Sequence, residues 1–244
     1  MVPVYNDGRS LNKLLNKLDT HLHDILNFET EILILNDNSS EQINIDQSNF
    51  KKLKKINILS VKKNLGSQKI IALGLNFIKD KGQNFFVTVI DSDGEDNPFE
   101  IKKMLEIAID YNDHVVTSNR KSRKESIFIK ILYKLHLILT FLFCFKWISF
   151  GNFTTFNSQN IDKILTNGNS WLAHSSAVIK NCKIKRLYAK REKRYFDKSK
   201  LSLINLVEHS LRINAVFVER TIISSVFYIL ILYLNFSNNN FSLF

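Results

Sequence analysis

The chain has 244 residues, 45% of them hydrophobic, enough to bury a sizeable core in one domain with an appendage. Its 34 Lys and Arg outnumber 23 acids, and the resulting formal charge of +11 calls for an anionic partner: a nucleotide, a phospholipid surface or nucleic acid. Seven Gly and two Pro exclude a fibrous or low-complexity chain, and Cys144 and Cys182 form neither a disulfide framework nor a metal-ligand spacing.

Met1 runs directly into Val2-Pro3-Val4-Tyr5-Asn6, which reads as the end of a short strand rather than a signal peptide. Almost nothing precedes Pro3, so either the recorded start is late or this strand is unusually short. Ser10 is placed to cap a helix whose apolar face is Leu11, Leu14, Leu15, Leu18 and Leu22. Glu31 to Leu35 is a second strand, ending in Asn36-Asp37-Asn38-Ser39-Ser40, and Lys55 to Val61 alternates as a third. Lys63-Asn64-Leu65-Gly66-Ser67 forms a loop opening a helix through Ile70, Ile71, Leu73, Leu75 and Phe77. Phe85 to Ile90 is an apolar, β-favouring run that enters Asp91-Ser92-Asp93-Gly94, and the Asp-Gly and Asn97-Pro98 pairs end it. A helix from Phe99 to about Tyr111 and a strand at Val115 to Ser118, closed by Asn119-Arg120, complete the alternation. Strands separated by helices of this length imply βαβ units and a largely parallel sheet, with ligands bound beyond the carboxyl ends of the strands. Asp91 and Asp93 stand at such an end, where two hard oxygen ligands suit Mg²⁺ or Mn²⁺ completed by a diphosphate. The plainer alternative is a turn at Asp93-Gly94 capped by Asp91.

The ordered set Pro3-Val4-Tyr5-Asn6, Asn36-Asp37-Asn38-Ser39, Asn64-Leu65-Gly66 with Ala72 and Gly74, and Asp91-Ser92-Asp93 resembles the family 2 glycosyltransferases of the GT-A fold. Ser118-Asn119-Arg120, Gly151-Asn152-Phe153 and Arg194-Tyr195-Phe196-Asp197-Lys198-Ser199-Lys200 bring the likeness nearest to the dolichol- and polyprenyl-phosphate sugar transferases, over residues 1 to about 218. The resemblance implies an α/β GT-A fold with flanking helices. It implies that Pro3, Tyr5, Asn6, Asp37, Asn64, Gly66, Asp91 and Ser92 hold a nucleotide sugar, and that Asp91 and Asp93 hold Mg²⁺ or Mn²⁺. It further implies that Arg120, Arg194 and Lys200 join Asp91 and Asp93 in catalysis by meeting phosphate, for which guanidinium forks are well shaped. Read without it, Asp37 is a strand-end cap and the cations are solvated surface. The chain departs from the pattern at Asn36 and Asn38, at Asp197 in place of a glycine, and at Leu201.

Residues 127–148 read as a helix lying in a membrane interface: Lys121, Arg123, Lys124, Lys130 and Lys134 precede an apolar run from Leu135 to Phe145. That run is too short to span a hydrocarbon core of roughly 30 Å. A buried domain helix is the alternative. His136 has no partner at ligand spacing and reads as packing. From Lys180 to Lys200 ten Lys or Arg face only Glu192 and Asp197, with Tyr188, Tyr195 and Phe196 interleaved. Nucleic acid is one reading of such a patch, but no nucleic-acid module accompanies it, so phosphate handling at a membrane ranks first and nucleic acid is not expected as a partner. The nearly uncharged stretch from Thr221 to Phe236 is a possible anchor within a C-terminal segment 219–244, with Ser237 to Asn240 expected as a disordered or interfacial tail. Because the basic residues precede it, a spanning helix would leave the rest of the chain cytoplasmic.

The expectation is therefore a glycosyltransferase domain over 1–218 that moves a sugar from a nucleotide-diphosphate donor to a polyprenyl- or dolichyl-type lipid phosphate at the cytoplasmic membrane face. Two alternatives stand beside it: transfer to a sugar hydroxyl, which needs a general base, and a membrane-associated nucleotide-sugar binder without turnover. Between Gly151 and Val218 the acids are Asp162, Glu192, Asp197 and Glu208, with no adjacent pair to serve as that base.

Overall fold

The computed structural model describes residues 1–21, 29–53, 55–82, 84–120, 127–196 and 203–241. Strand β1 (Val2–Val4) pairs in parallel with β2 (Glu31–Asn36), and β2 in parallel with β3 (Lys55–Ser60). Strand β4 (Phe86–Val89) lies beside β1, joined to it by Met1, whose amine donates to the Thr88 carbonyl and whose carbonyl accepts from the Ile90 N–H. β6 (Phe150–Asn157) then inserts antiparallel between β4 and β5 (His114–Arg120), and β7 (Lys183–Ala189) runs parallel to β5 at the edge. The described strands thus run in the order β3-β2-β1-β4-β6-β5-β7.

The antiparallel strand β6 is the exception in the largely parallel sheet that was expected. Its sequence Phe-Gly-Asn-Phe-Thr-Thr-Phe-Asn is rich in β-favouring aromatic and branched residues. β7 corrects the reading of Lys180 to Lys200 as one basic patch: a third of that run, Lys183–Ala189, is an edge strand, where lysines on an exposed edge discourage pairing with another chain.

Period-2 alternation sorts the strand residues between two cores. Ile32 and Ile34 face α1 (Gly8–His21) and α3 (Glu100–Asp110), packing with Leu11, Leu14, Leu15, Leu18, Ile101 and Met104. Leu33 and Leu35 face the other way, onto α2 (Ser67–Ile78), α5 (Ile161–Leu165) and α7 (His174–Asn181), with short α6 (Asn169–Leu172) between them. Helix α2 approaches β2 so closely that a β-carbon at Gly74 would stand 2.7 Å from the Leu35 side chain.

Helix α4 (Ile127–Cys144) ends four residues before the expected 148, and α8 (Leu203–Ala215) leads into α9 (Val218–Phe241). Residues 237–241 continue that helix, which corrects the expectation of a disordered tail there. The beginning of α9 is tied to the end of α4: the Ser224 hydroxyl donates to the Phe143 carbonyl (3.0 Å), Tyr228 to that of Leu142 (2.8 Å), and the Phe143 and Tyr228 rings meet edge to face. From Ile229 to Phe236 every large apolar side chain of α9 is exposed, as are Ile131, Leu135, Ile138, Phe141 and Trp147 around α4. Val218–Phe236 is long and apolar enough to cross a membrane.

Candidate active site

The loops that leave β1, β2 and β4 at their carboxyl ends meet in one place. Asn6, following β1, accepts at Oδ1 from the Ser40 N–H (2.7 Å) and hydroxyl, while its own N–H donates to the Ser39 hydroxyl. Asn36 holds the β2 loop by accepting from the Ser39 N–H (3.0 Å). Asp37 is buried, 3% exposed, and its two carboxylate oxygens accept from the backbone N–H groups of Leu65 (2.7 Å) and Gly66 (2.8 Å). The Asn64 amide reaches the Asp37 carbonyl. Asp37 is thereby the strand-end cap of its alternative reading, and any contact with a base N–H would use its remaining lone pairs. Pro3 is buried within β1, whereas Tyr5 stands 46% exposed beside the loops.

After β4 the chain turns through Asp91-Ser92-Asp93-Gly94. Asp91 accepts from the Asn152 side-chain amide of β6 at 3.1 Å, and Ser92 is buried. Asp93 accepts from the Glu95 N–H (2.9 Å) through Oδ1 and from Arg194 (2.8 Å) through Oδ2. Arg194 reaches Asp7 as well, at 3.3 Å. Arg191 pairs with Glu95. The backbone makes the same docking: the Glu192 N–H donates to the Glu95 carbonyl and that of Tyr195 to the Asp93 carbonyl, each at 2.9 Å. Residues 191–195 therefore form a strap laid across the acidic loop.

Gly94 explains how the strap fits. Its φ of +83° is left-handed, and a β-carbon there would stand 2.4 Å from the Tyr195 ring. The aromatic pair also carries the cations of α1: Arg9 over Phe196, Lys17 over Tyr195, and Lys13 within reach of both rings. Burial lowers the Arg191 guanidinium below its ordinary pKa against the opposing pull of Asp93 and Asp91, with Arg194 adding to the lowering. Tyr195 is pushed up to about 12 by burial and by the charges of Glu192 and Asp93.

The structure thus brings Asp91, Ser92, Asp93 and Arg194 together, with Asn6, Asp37, Asn64 and Gly66 on the adjoining loops. Arg120 ends β5, its side chain outside the described residues; Lys200 and Asp197 lie outside them altogether. Asp7, Glu95 and Arg191 belong to the site although sequence reasoning passed over them; no spacing links Asp7 to an arginine 187 positions away. As a donor set, two carboxylates two residues apart fit Mg²⁺ or Mn²⁺, which take one or two carboxylates and complete their shell with phosphate and water. Among the described residues no group of three or more His, Cys, Asp or Glu converges to hold a metal by itself, so the diphosphate would supply the remaining oxygens, and an ion on Asp93 would share that carboxylate with Arg194.

A sheet of this order, with helices on both faces, is a GT-A-type α/β fold. The description "Glycosyl transferase family 2" matches residues 1–180, and the chain belongs to that family. Among curated relatives, undecaprenyl-phosphate 4-deoxy-4-formamido-L-arabinose transferase of Klebsiella pneumoniae is 28% identical over 137 residues, 55% of this chain and 40% of that one. An uncharacterised protein of Methanocaldococcus jannaschii is 25% identical over 123 residues, 50% of this chain and 51% of that one. The chain thus spans about half, or less, of the length of these relatives. Among solved structures, mannosyl-3-phosphoglycerate synthase of Rubrobacter xylanophilus superposes with a TM-score of 0.60 at 12% identity, covering 90% of this chain and 72% of that one. Glucosyl-3-phosphoglycerate synthase of Mycobacterium tuberculosis, in complex with Mn²⁺, UDP-glucose and phosphoglyceric acid, gives 0.57 at 14% identity (90% and 78%). S. aureus TarS in complex with UDP gives 0.53 at 18% identity (88% and 64%). At these identities the structures establish the fold.

Proposed function

We propose that the chain is a glycosyltransferase that moves a sugar from a nucleotide-diphosphate donor to a polyprenyl-type lipid phosphate at the cytoplasmic face of a membrane. The observation that carries this reading is the strap: a cationic segment, Arg191 to Arg194, docked on the Asp91–Asp93 loop by ion pairs and backbone hydrogen bonds. Acids for a donor's metal and cations for phosphate are thereby held within one site. The apolar faces of α4 and α9 supply the membrane contact, and the Klebsiella relative's name points to the same acceptor class. Residues 1–218 form the catalytic domain in this reading, and 219–244 the anchor.

The acceptor phosphate oxygen is already anionic and attacks the anomeric carbon. The bond from that carbon to the donor diphosphate breaks, and the nucleoside diphosphate leaves with the electron pair. No proton has to be removed, so no general base is required. Asp91 and Asp93 would hold the ion, which when bound offsets charge building on the leaving diphosphate. Arg194, freed from Asp93 or shared with it, orients phosphate through its fork. Of the described acids between Gly151 and Val218, Glu208 is bound to Arg212 on the surface of α8 (2.6 Å) and Asp162 is exposed on α5, which leaves Glu192, exposed on the strap, as the acid to test for a base.

The test is a panel of nucleotide sugars with Mn²⁺ or Mg²⁺, offered in parallel to polyprenyl phosphate, polyprenol and an oligosaccharide. Transfer to the phosphate alone is the expected result. Transfer to the oligosaccharide would move the reading to the hydroxyl-directed class, and nucleotide binding without turnover to the binder.

A further inference from the structure

Asp91 is the end of a chain of amides that begins on the far side of the sheet. The His174 backbone N–H, at the start of α7, donates to Gln68 Oε1 (2.6 Å). Gln68 Nε2 donates to Asn152 Oδ1 (3.1 Å), and Asn152 Nδ2 donates to Asp91 (3.1 Å). Each direction follows from the first. A backbone N–H can only donate, so it takes the oxygen of Gln68 and turns the Gln68 amide nitrogen toward Asn152. That nitrogen takes the Asn152 oxygen and turns the second amide nitrogen toward the carboxylate. A second path closes a ring: the Asn152 carbonyl accepts from the Thr154 hydroxyl (3.1 Å), which lies 2.9 Å from His174 Nε2. Gln68 is 6% exposed and both Thr154 and His174 are fully buried, so water competes little for the inner bonds of the ring, while the Asn152–Asp91 bond is part-buried.

We infer that Gln68, one residue into α2, is a positioning residue for Asp91: it fixes which way the Asn152 amide faces and so presents N–H donors, rather than an oxygen, to the carboxylate. The inference rests on the reading of Asp91 as part of the donor site. It assigns a role to a residue that touches neither carboxylate of the acid pair.

Gln68→Glu is the informative change, because it keeps length and shape. A glutamate still accepts from the His174 N–H but has no proton for Asn152 Oδ1; Asn152 then loses its partner or flips, setting its oxygen against Asp91. The readout is the affinity of the purified full chain for UDP or GDP with Mn²⁺, by calorimetry, in a double-mutant cycle with Asn152→Ala, with urea unfolding run alongside. The expected result is at least a tenfold weakening by Gln68→Glu in the native background and a change within twofold in the Asn152→Ala background, a coupling of at least about fivefold, ~1 kcal/mol. A purely structural Gln68 would weaken binding equally in both backgrounds, and that result overturns the inference, as does undiminished binding in the single variant. Gln68→Met, which removes both polar ends without adding charge, runs the same cycle if Gln68→Glu does not fold. Wild-type protein that binds neither nucleotide overturns the donor-site reading itself, a different result from tight wild-type binding that Gln68→Glu leaves unchanged.

Discussion

Gly94→Ala probes the strap with a single methyl group. Two costs add. The backbone at φ +83° is left-handed, which charges a non-glycine residue about 1–2 kcal/mol. The new methyl would also stand 2.4–2.5 Å from three atoms of the Tyr195 ring, well inside contact distance. That ring cannot withdraw freely: its backbone N–H is bound to the Asp93 carbonyl, and Lys13 and Lys17 lie over its face at 5.0 and 4.7 Å. Overpacking of this kind costs about 1–3 kcal/mol, so the expected destabilisation is roughly 2–5 kcal/mol, a large share of the ~5–15 kcal/mol of a typical domain. Gly82→Ala is the control, since Gly82 has φ +123° but nothing within 4 Å of the added carbon, and it carries the backbone cost alone. Urea unfolding of both variants, with nucleotide binding, gives the comparison. Gly94→Ala should exceed Gly82→Ala by at least about 1 kcal/mol and weaken nucleotide binding, which Gly82→Ala should not. Equal destabilisation by the two, with binding intact, would refute a packed strap.

Replacing Asp91 or Asp93 by Ala should abolish transfer and Mn²⁺-dependent nucleotide binding; transfer at the native rate in excess chelator would contradict this. Asp91→Ala should cost little stability, whereas Asp93→Ala should also loosen the strap by removing the partner of Arg194. His174 is buried, and its pKa is lowered to about 4 by burial. A folded-state value below the unfolded one of about 6.5 means that the unfolded chain binds the extra proton, so stability is full above pH ~6.5 and falls by about 3 kcal/mol as pH drops to ~4. The wild-type-minus-His174→Asn difference in urea stability across that window should show this slope, and a flat difference would refute it. Deleting residues 221–244 should weaken binding to anionic vesicles, and Phe141, Leu142 and Phe143 changed to Ser should weaken the remainder, since stable anchoring takes two signals; a native chain that ignores such vesicles would remove the membrane from the account. Asp162→Asn, Glu192→Gln and Glu208→Gln should each cost less than about tenfold in transfer rate, under ~1.4 kcal/mol, whereas a loss of ~10²–10⁴ would mark a general base.

The first half of the fold was legible because its strands and helices carry undisturbed periods: Leu11, Leu14, Leu15 and Leu18 for α1, and the apolar run through Val87 and Val89 for β4. The second half was not. In β7, Lys183, Lys185 and Arg186 stand on both faces of an edge strand, and a charged edge reads as a patch when its parallel partner β5 lies some 70 positions earlier. The acid pair was placed from its strand and turn, but its partners were not. The resemblance gave Arg194 to phosphate but could not show its protein partner, Asp93, 101 positions away. Gln68 carried no signal at all. An amide on a helix face is ordinary in sequence, and its meaning depends on the His174 N–H that fixes its direction.

The central claim is tested most directly by the intact mass of the lipid product. Incubation with a nucleotide sugar, a divalent cation and polyprenyl phosphate should yield a lipid heavier by one anhydrosugar and still carrying a single phosphorus, together with released nucleoside diphosphate. A product with two phosphorus atoms and nucleoside monophosphate would show that the sugar phosphate had moved, and unchanged lipid beside a glycosylated hydroxyl acceptor would show that the phosphate is not the nucleophile. Either result would contradict the account.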